Sequence, residues 1–217
     1  NSRHQAMEMA VINYLWPTLT ILLSIIIGRK KVSFWVYPSM IIAFLGVAWC
    51  ITGDQKMSLD TLVTNFADNP ATYLMALAAA FIWAIYCVVT QKISNGKNAI
   101  TLFFTVTAMS LWAQYGFSNE APLTFSLGSS ITLLLAGVVV GSGYALWNQA
   151  IIGGNLMLLG TLSYFTPVFS TIISALYLSI TLSASFWQGV VLVTVGSLIC
   201  YFVTREKPPQ PQIASAT

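Results

Sequence analysis

Charge is what this sequence has least of. Acidic and basic residues together make up 7% of its 217 positions, where soluble globular chains carry about a quarter. So little charge excludes an ordinary solvated surface. Histidine occurs once, at His4, and cysteine three times, at Cys50, Cys87 and Cys200, each inside an apolar stretch. An odd number of thiols without metal-ligand spacing implies neither a disulfide framework nor a metal centre, and packing as small apolar residues accounts for them. No base or ligand cluster lies at depth, which disfavours an intramembrane enzyme. The net charge of +3 is spread over short loops rather than gathered into a patch, so no nucleic-acid partner is implied, and nothing requires a cofactor.

What the chain has in abundance is apolar side chains, 57% of the whole. Seven runs read as membrane spans: Ala6 to Ile27, Trp35 to Ile51, Ala71 to Thr90, Ala99 to Phe117, Ile131 to Ile152, Leu156 to Leu178 and Phe186 to Val203. Each is continuous and lacks the alternation of barrel strands, so the backbone must satisfy its own polar groups as helix. The expected fold class is all-α and polytopic, with the lipid bilayer as its surroundings.

Lysine and arginine are distributed unevenly between the two sides. Arg29, Lys30, Lys31, Lys92, Lys97, Arg205 and Lys207 fall on one side of the alternating spans, against Arg3 and Lys56 on the other. Positive loops stay cytoplasmic, so the C-terminus is expected inside and the N-terminus outside. Residues 53–70 form the longest polar connection, and Leu59, Leu62, Val63 and Phe66 recur at helical spacing opposite Asp60, Thr61 and Asn65. That pattern predicts a short interfacial helix on the outer face. The proline-containing tail, 205–217, reads as disordered and cytoplasmic.

Two of the spans carry the same figure. Asn13-Tyr14-Leu15-Trp16-Pro17 lies in the middle of the first, and Ser163-Tyr164-Phe165-Thr166-Pro167 lies inside the sixth. Proline has no N–H and crowds the carbonyl four residues back, so Pro17 and Pro167 predict kinks that leave the Asn13 and Ser163 carbonyls without their helical donor. Aromatic and amide side chains around such a kink suit a cavity wall, with Tyr14 and Tyr164 flanking it. Trp83 and Tyr86 in the third span, and Tyr144, Trp147 and Asn148 in the fifth, form stripes with a polar edge that serve either packing or the same cavity. Glu8 is the acidic residue within the spans; it pairs locally with His4, four positions away, or couples transport to protons. Gly137, Gly141 and Gly143 are read as helix-packing positions.

The echo extends from Phe34-Trp35 to Phe186-Trp187, from Gly46 to Gly196 and from Cys50 to Cys200. A copy displaced by an odd number of spans is inverted, the arrangement of many secondary transporters. With a five-helix unit, the chain reads as seven transmembrane helices of a ten-helix inverted five-plus-five repeat. Residues 1–52 then hold the last two helices of one repeat, 53–70 an external connector, and 71–204 a complete second repeat. Three helices would precede Asn1, making the chain a fragment.

The motifs around Asn13 to Pro17, Phe81 to Cys87, Trp147-Asn148, Ser163 to Pro167 and Phe186 to Gly189 resemble the EamA-type aromatic amino acid exporters of the drug/metabolite transporter superfamily. The resemblance covers nearly the whole chain. It implies a multi-pass bacterial inner-membrane protein that exports aromatic and other apolar amino acids by alternating access. It also implies that Tyr14, Trp16 and Trp83 line a central cavity. The cargo expected is therefore a small aromatic or apolar amino acid, with another small solute as the alternative.

Overall fold

The computed structural model describes residues 2–29, 31–53, 59–119, 123–179 and 181–204. They form the helical segments α1 (Ser2–Asn13), α2 (Trp16–Gly28), α3 (Val36–Thr52), α4 (Leu59–Asp68), α5 (Pro70–Ile93), α6 (Ile100–Phe117), α7 (Leu127–Gly153), α8 (Leu156–Ser163), α9 (Thr166–Leu178) and α10 (Ala184–Thr204). Segments α1 and α2 are one helix broken before Pro17, and α8 and α9 are one helix broken before Pro167. The described residues thus make eight helices.

This corrects the seven spans and the ten-helix inverted repeat expected from sequence. Among the described residues five helices are long and apolar enough to cross a membrane: Glu8–Gly28, Pro70–Ile93, Leu127–Gly153, Leu156–Leu178 and Ala184–Thr204. The physical reasons differ for the other two runs. Segment α3 has 17 residues, about 25 Å of helix at 1.5 Å per residue, against a hydrocarbon core of about 30 Å. Segment α6 has 18, diluted by Thr101, Thr105, Thr107, Ser110 and Gln114. The tail from 205 onward lies outside the described residues.

Both breaks are local consequences of proline. At the first, Leu15 N donates to the Ile12 carbonyl at 3.1 Å; at the second, Phe165 N donates to Leu162 at 3.1 Å. These are one-residue-tighter bonds that close the turn where the regular ladder fails. Proline occupies the second position of each following helix, where a missing N–H does no harm.

The tightest packing joins α3 to α10. A Cβ built on Gly46 would stand 2.5 Å from the Val193 nitrogen, one on Gly189 would stand 2.6 Å from the Cys50 nitrogen, and one on Gly196 would stand 2.5 Å from the Ala43 nitrogen. The two backbones therefore touch through three glycines, the close approach that small residues permit between membrane helices. Val36, Met40, Ala43, Val47, Val193 and Cys200 fill the remaining seam. Gly160 does the same for α8 against α2, where a Cβ would meet the Ile21 side chain at 2.8 Å. The glycines of α7 behave differently from the expectation. No neighbour lies within 4 Å of a Cβ on Gly137, Gly141 or Gly143 among the described residues.

Three rungs set the direction of α5 against the broken first helix: Tyr73 hydrogen-bonds Glu8, Trp83 meets Trp16, and Lys92 Nζ donates to the Ile27 carbonyl at 2.9 Å. Residue numbers rise together along both, so they run parallel. The Lys92 ammonium sits at the carbonyl end of α2, where the helix dipole favours a cation.

Candidate functional site

The centre of the bundle is built from indoles. Trp16, the first residue after the break in the first helix, stands edge-on between two others: Trp83 of α5 at 6.1 Å with an interplanar angle of 82°, and Trp147 of α7 at 5.6 Å with 88°. Edge-to-face contact sets the positive rim of one ring against the negative face of the next. Trp83 also meets Tyr144 at 5.6 Å and Tyr86 at 5.3 Å.

Around these rings lies a cavity of about 560 Å³ whose walls include Asn13, Trp16, Trp83, Tyr144, Trp147 and Ser163, with Thr166 beside them. The two proline breaks supply its polar groups. Asn13 closes α1, Ser163 closes α8, and Thr166 opens α9. Helix backbone can be interrupted at membrane depth where it lines a cavity, and both interruptions do so here. Gly143, read from sequence as a packing residue, lines the cavity too.

A second cavity of about 320 Å³ shares the walls Trp83 and Tyr144 and is otherwise formed by Ile82, Tyr86 and four residues of α6. Those four, Ile100, Phe103, Phe104 and Thr107, carry no signal in the sequence because the polar residues of α6 are scattered around its circumference and mark no preferred face.

Asn148, buried to 1% exposure, does not line either cavity. Its carbonyl accepts from the Tyr86 hydroxyl at 2.6 Å and its amide donates to Asn98 Oδ1 at 2.5 Å. Asn98 also accepts from the Ile100 backbone N–H at 3.0 Å, so one amide pair ties α5, α7 and the start of α6 together. An unpaired amide here would be costly, and every polar atom named has found a partner.

Tyr14 and Tyr164 are placed elsewhere. Tyr164 is fully buried in the core shared with α3 and α10, its hydroxyl 2.6 Å from Thr18 Oγ1, and Tyr14 packs against the same core. The chain's rotation through each break turns the tyrosine away from the cavity and the preceding Asn13 or Ser163 toward it. Glu8, 1% exposed, accepts from Asn65 Nδ2 at 3.0 and 3.2 Å and from the Tyr73 hydroxyl. The side chain of His4 lies outside the described residues. Asn65 belongs to the face of α4 expected to meet water, yet it is the residue that reaches inward. Among the described residues no cluster of His, Cys, Asp or Glu is arranged to hold a metal ion.

A membrane-embedded bundle of helices broken around a central cavity with both aromatic and polar walls is the construction of a transporter rather than an enzyme. The chain belongs to the EamA-like transporter family, whose pattern matches residues 70–202. It is 43% identical over 206 residues to the aromatic amino acid exporter YddG of Salmonella typhimurium, covering 95% of this chain and 70% of that one. It is 41% identical over 205 residues to the YddG exporter of Escherichia coli K12, covering 94% and 70%. A solved crystal structure superposes with a TM-score of 0.72 over 92% of this chain and 68% of the other at 20% identity, a likeness of fold. The protein is a multi-pass protein of the bacterial inner membrane.

Proposed function

We propose that this protein exports aromatic and other apolar amino acids from the cytoplasm by alternating access. The observation that carries the reading is the set of three indoles, Trp16, Trp83 and Trp147, around one cavity whose polar groups are the amide of Asn13 and the hydroxyls of Ser163 and Thr166. An aromatic side chain stacks on the indoles, and an ammonium group sits over a ring face or against the carbonyls at the breaks. Among the described residues no ionised side chain lines the cavity, so the carboxylate is held by neutral donors and released easily. The exporters of Salmonella typhimurium and Escherichia coli named above support the same cargo class.

In this reading the C-terminus is cytoplasmic. The Lys92 contact with Ile27 gathers the ends of α2 and α5, and with them Arg29, Lys31 and Lys97, at one end of the bundle, which is the cytoplasmic end by the positive-inside rule. A Lys97→Cys variant should react with an impermeant thiol reagent only after cells are opened.

The cargo is tested in proteoliposomes loaded with phenylalanine, tryptophan, alanine or a quaternary ammonium drug, by efflux. Phenylalanine and tryptophan should leave fastest; efflux of the drug alone would overturn the reading.

A further inference from the structure

We infer that the smaller cavity between α5, α6 and α7 is a chamber for the cargo's aromatic side chain, entered from the central cavity between Trp83 and Tyr144. The inference rests on the export of amino acids proposed above and assigns the selectivity for aromatic cargo to residues of α6.

Four observations carry it. First, the two cavities are continuous in their walls: Trp83 and Tyr144 line both, and their rings meet at 5.6 Å with an interplanar angle of 76°. Second, the chemistry is divided between them. Asn13, Ser163 and Thr166 all line the larger cavity, whereas the smaller is walled by rings and aliphatic side chains apart from Thr107 and the hydroxyls of Tyr144 and Tyr86, the latter already engaged by Asn148. An amino acid has this same division, with a charged end and a side chain.

Third, the rings form an unbroken series around the smaller cavity. Phe103 meets Tyr86 at 5.9 Å, Tyr86 meets Trp83 at 5.3 Å, Trp83 meets Tyr144 at 5.6 Å, and Tyr144 meets Phe104 at 5.6 Å. A ring inserted among them finds both faces and edges to contact, the arrangement aromatic pairs prefer. Fourth, the size fits. The hollow of about 320 Å³ is open on one side, where Ile82 is 67% and Phe103 46% exposed, and it leaves room for an indole laid among the rings. Small apolar side chains need no chamber and remain in the central cavity, so the two cargo classes differ in whether they depend on α6.

The experiment fills the chamber without touching the larger cavity. Thr107→Trp in the full chain, reconstituted in liposomes, should lower phenylalanine and tryptophan efflux at least tenfold and leave alanine efflux within twofold of the unsubstituted protein. Retained alanine efflux also shows that the variant is folded. Should both cargoes be lost, a Thr107→Cys variant decides instead: phenylalanine should protect this thiol from a maleimide and alanine should not. An unchanged ratio of phenylalanine to alanine efflux in Thr107→Trp, or a Thr107→Cys thiol that phenylalanine does not protect, overturns the inference. If the unsubstituted protein moves no aromatic amino acid at all, the proposed function itself fails, an outcome separate from these.

Discussion

Trp16 and Trp83 meet edge to face at 6.1 Å across the gap between a broken helix and an unbroken one. The contact makes the position of Trp16 depend on the break before Pro17, and it puts the two indoles on one wall of the cavity. Removing the Trp16 ring leaves the break intact and takes away a stacking surface of about 1 kcal/mol, or roughly fivefold in affinity. Trp16→Ala should therefore weaken phenylalanine efflux about fivefold and alanine efflux little. Equal loss of both, measured per amount of protein in the membrane, would make the ring a packing element.

The prolines act on geometry rather than recognition. Pro17→Ala and Pro167→Ala each restore an N–H that competes for the Asn13 or Ser163 carbonyl, drawing the helix toward straightness and moving the polar residues of the break out of the cavity wall. Both variants should depress phenylalanine and alanine efflux alike. A selective effect on phenylalanine would contradict this.

The seam between α3 and α10 leaves no room for a methyl group at Gly46, Gly189 or Gly196, since each Cβ would fall within 2.6 Å of a backbone nitrogen of the other helix. Helices cannot yield there as a flexible side chain does, so the cost is that of overpacking, about 1–3 kcal/mol per site. Gly46→Ala and Gly196→Ala should each lower the midpoint of thermal unfolding in detergent, whereas Gly137→Ala on α7, where no neighbour lies within 4 Å among the described residues, should leave it unchanged.

The breaks were legible in the sequence because proline acts through its own ring and missing donor, without help from the rest of the fold. The stripes holding Trp83, Tyr144 and Trp147 could be drawn from spacing, which left open whether they served packing or a cavity. Which way each residue of a break points was not. Tyr14 and Tyr164 are adjacent in sequence to Asn13 and Ser163 but turn into the core, because the tightened turn changes the rotation between neighbours. The number of spans misled for another reason: hydropathy reports apolar length, not where the helix starts and stops, and α3 stops at 17 residues. The residues of α6 gave no signal because a helix whose polar residues are scattered around its circumference does not mark the face that borders a cavity.

Glu8 is held by two groups from elements far along the chain, Asn65 of α4 and Tyr73 of α5. Those bonds fasten the short helix α4 to the membrane bundle. Tyr73→Phe removes one donor from a buried carboxylate, a loss of about 1–3 kcal/mol, and Asn65→Ala removes the other. Both should raise amide hydrogen exchange through α4, residues 59–68, while exchange in α10 stays as it was. Glu8→Gln keeps the shape of the side chain but cannot ionise. Efflux that no longer responds to an imposed pH gradient in Glu8→Gln would assign proton coupling to this residue, and an unchanged response would leave it a fastening.

The amide pair Asn98 and Asn148 governs a different movement. Asn148 joins Tyr86 of α5 to Asn98, which accepts from the first N–H of α6, and Gln91 of α5 adds bonds to the Ile151 and Gly154 carbonyls at 3.2 and 2.9 Å. These contacts gather the ends of α5 and α7 and the start of α6 at one end of the bundle, the end that must open if cargo enters from the cytoplasm. Breaking the pair has two physical effects. The end loosens, and where Asn98 is the residue removed the buried Asn148 N–H is left without its acceptor at about 1–3 kcal/mol. Asn98→Ala, whose loss falls on the loop side, should increase labelling of a Ser163→Cys thiol in the wall of the central cavity from the side bearing Lys97. Asn148→Ala should loosen it as well, because it removes the bonds to Tyr86 and to Asn98 together. Asn148→Asp keeps an acceptor for Tyr86 but has no N–H for Asn98, so it separates the two bonds. If labelling in Asn148→Asp matches Asn98→Ala, the Asn98 bond is what holds this end closed; if it matches the unsubstituted protein, the Tyr86 bond carries that role instead.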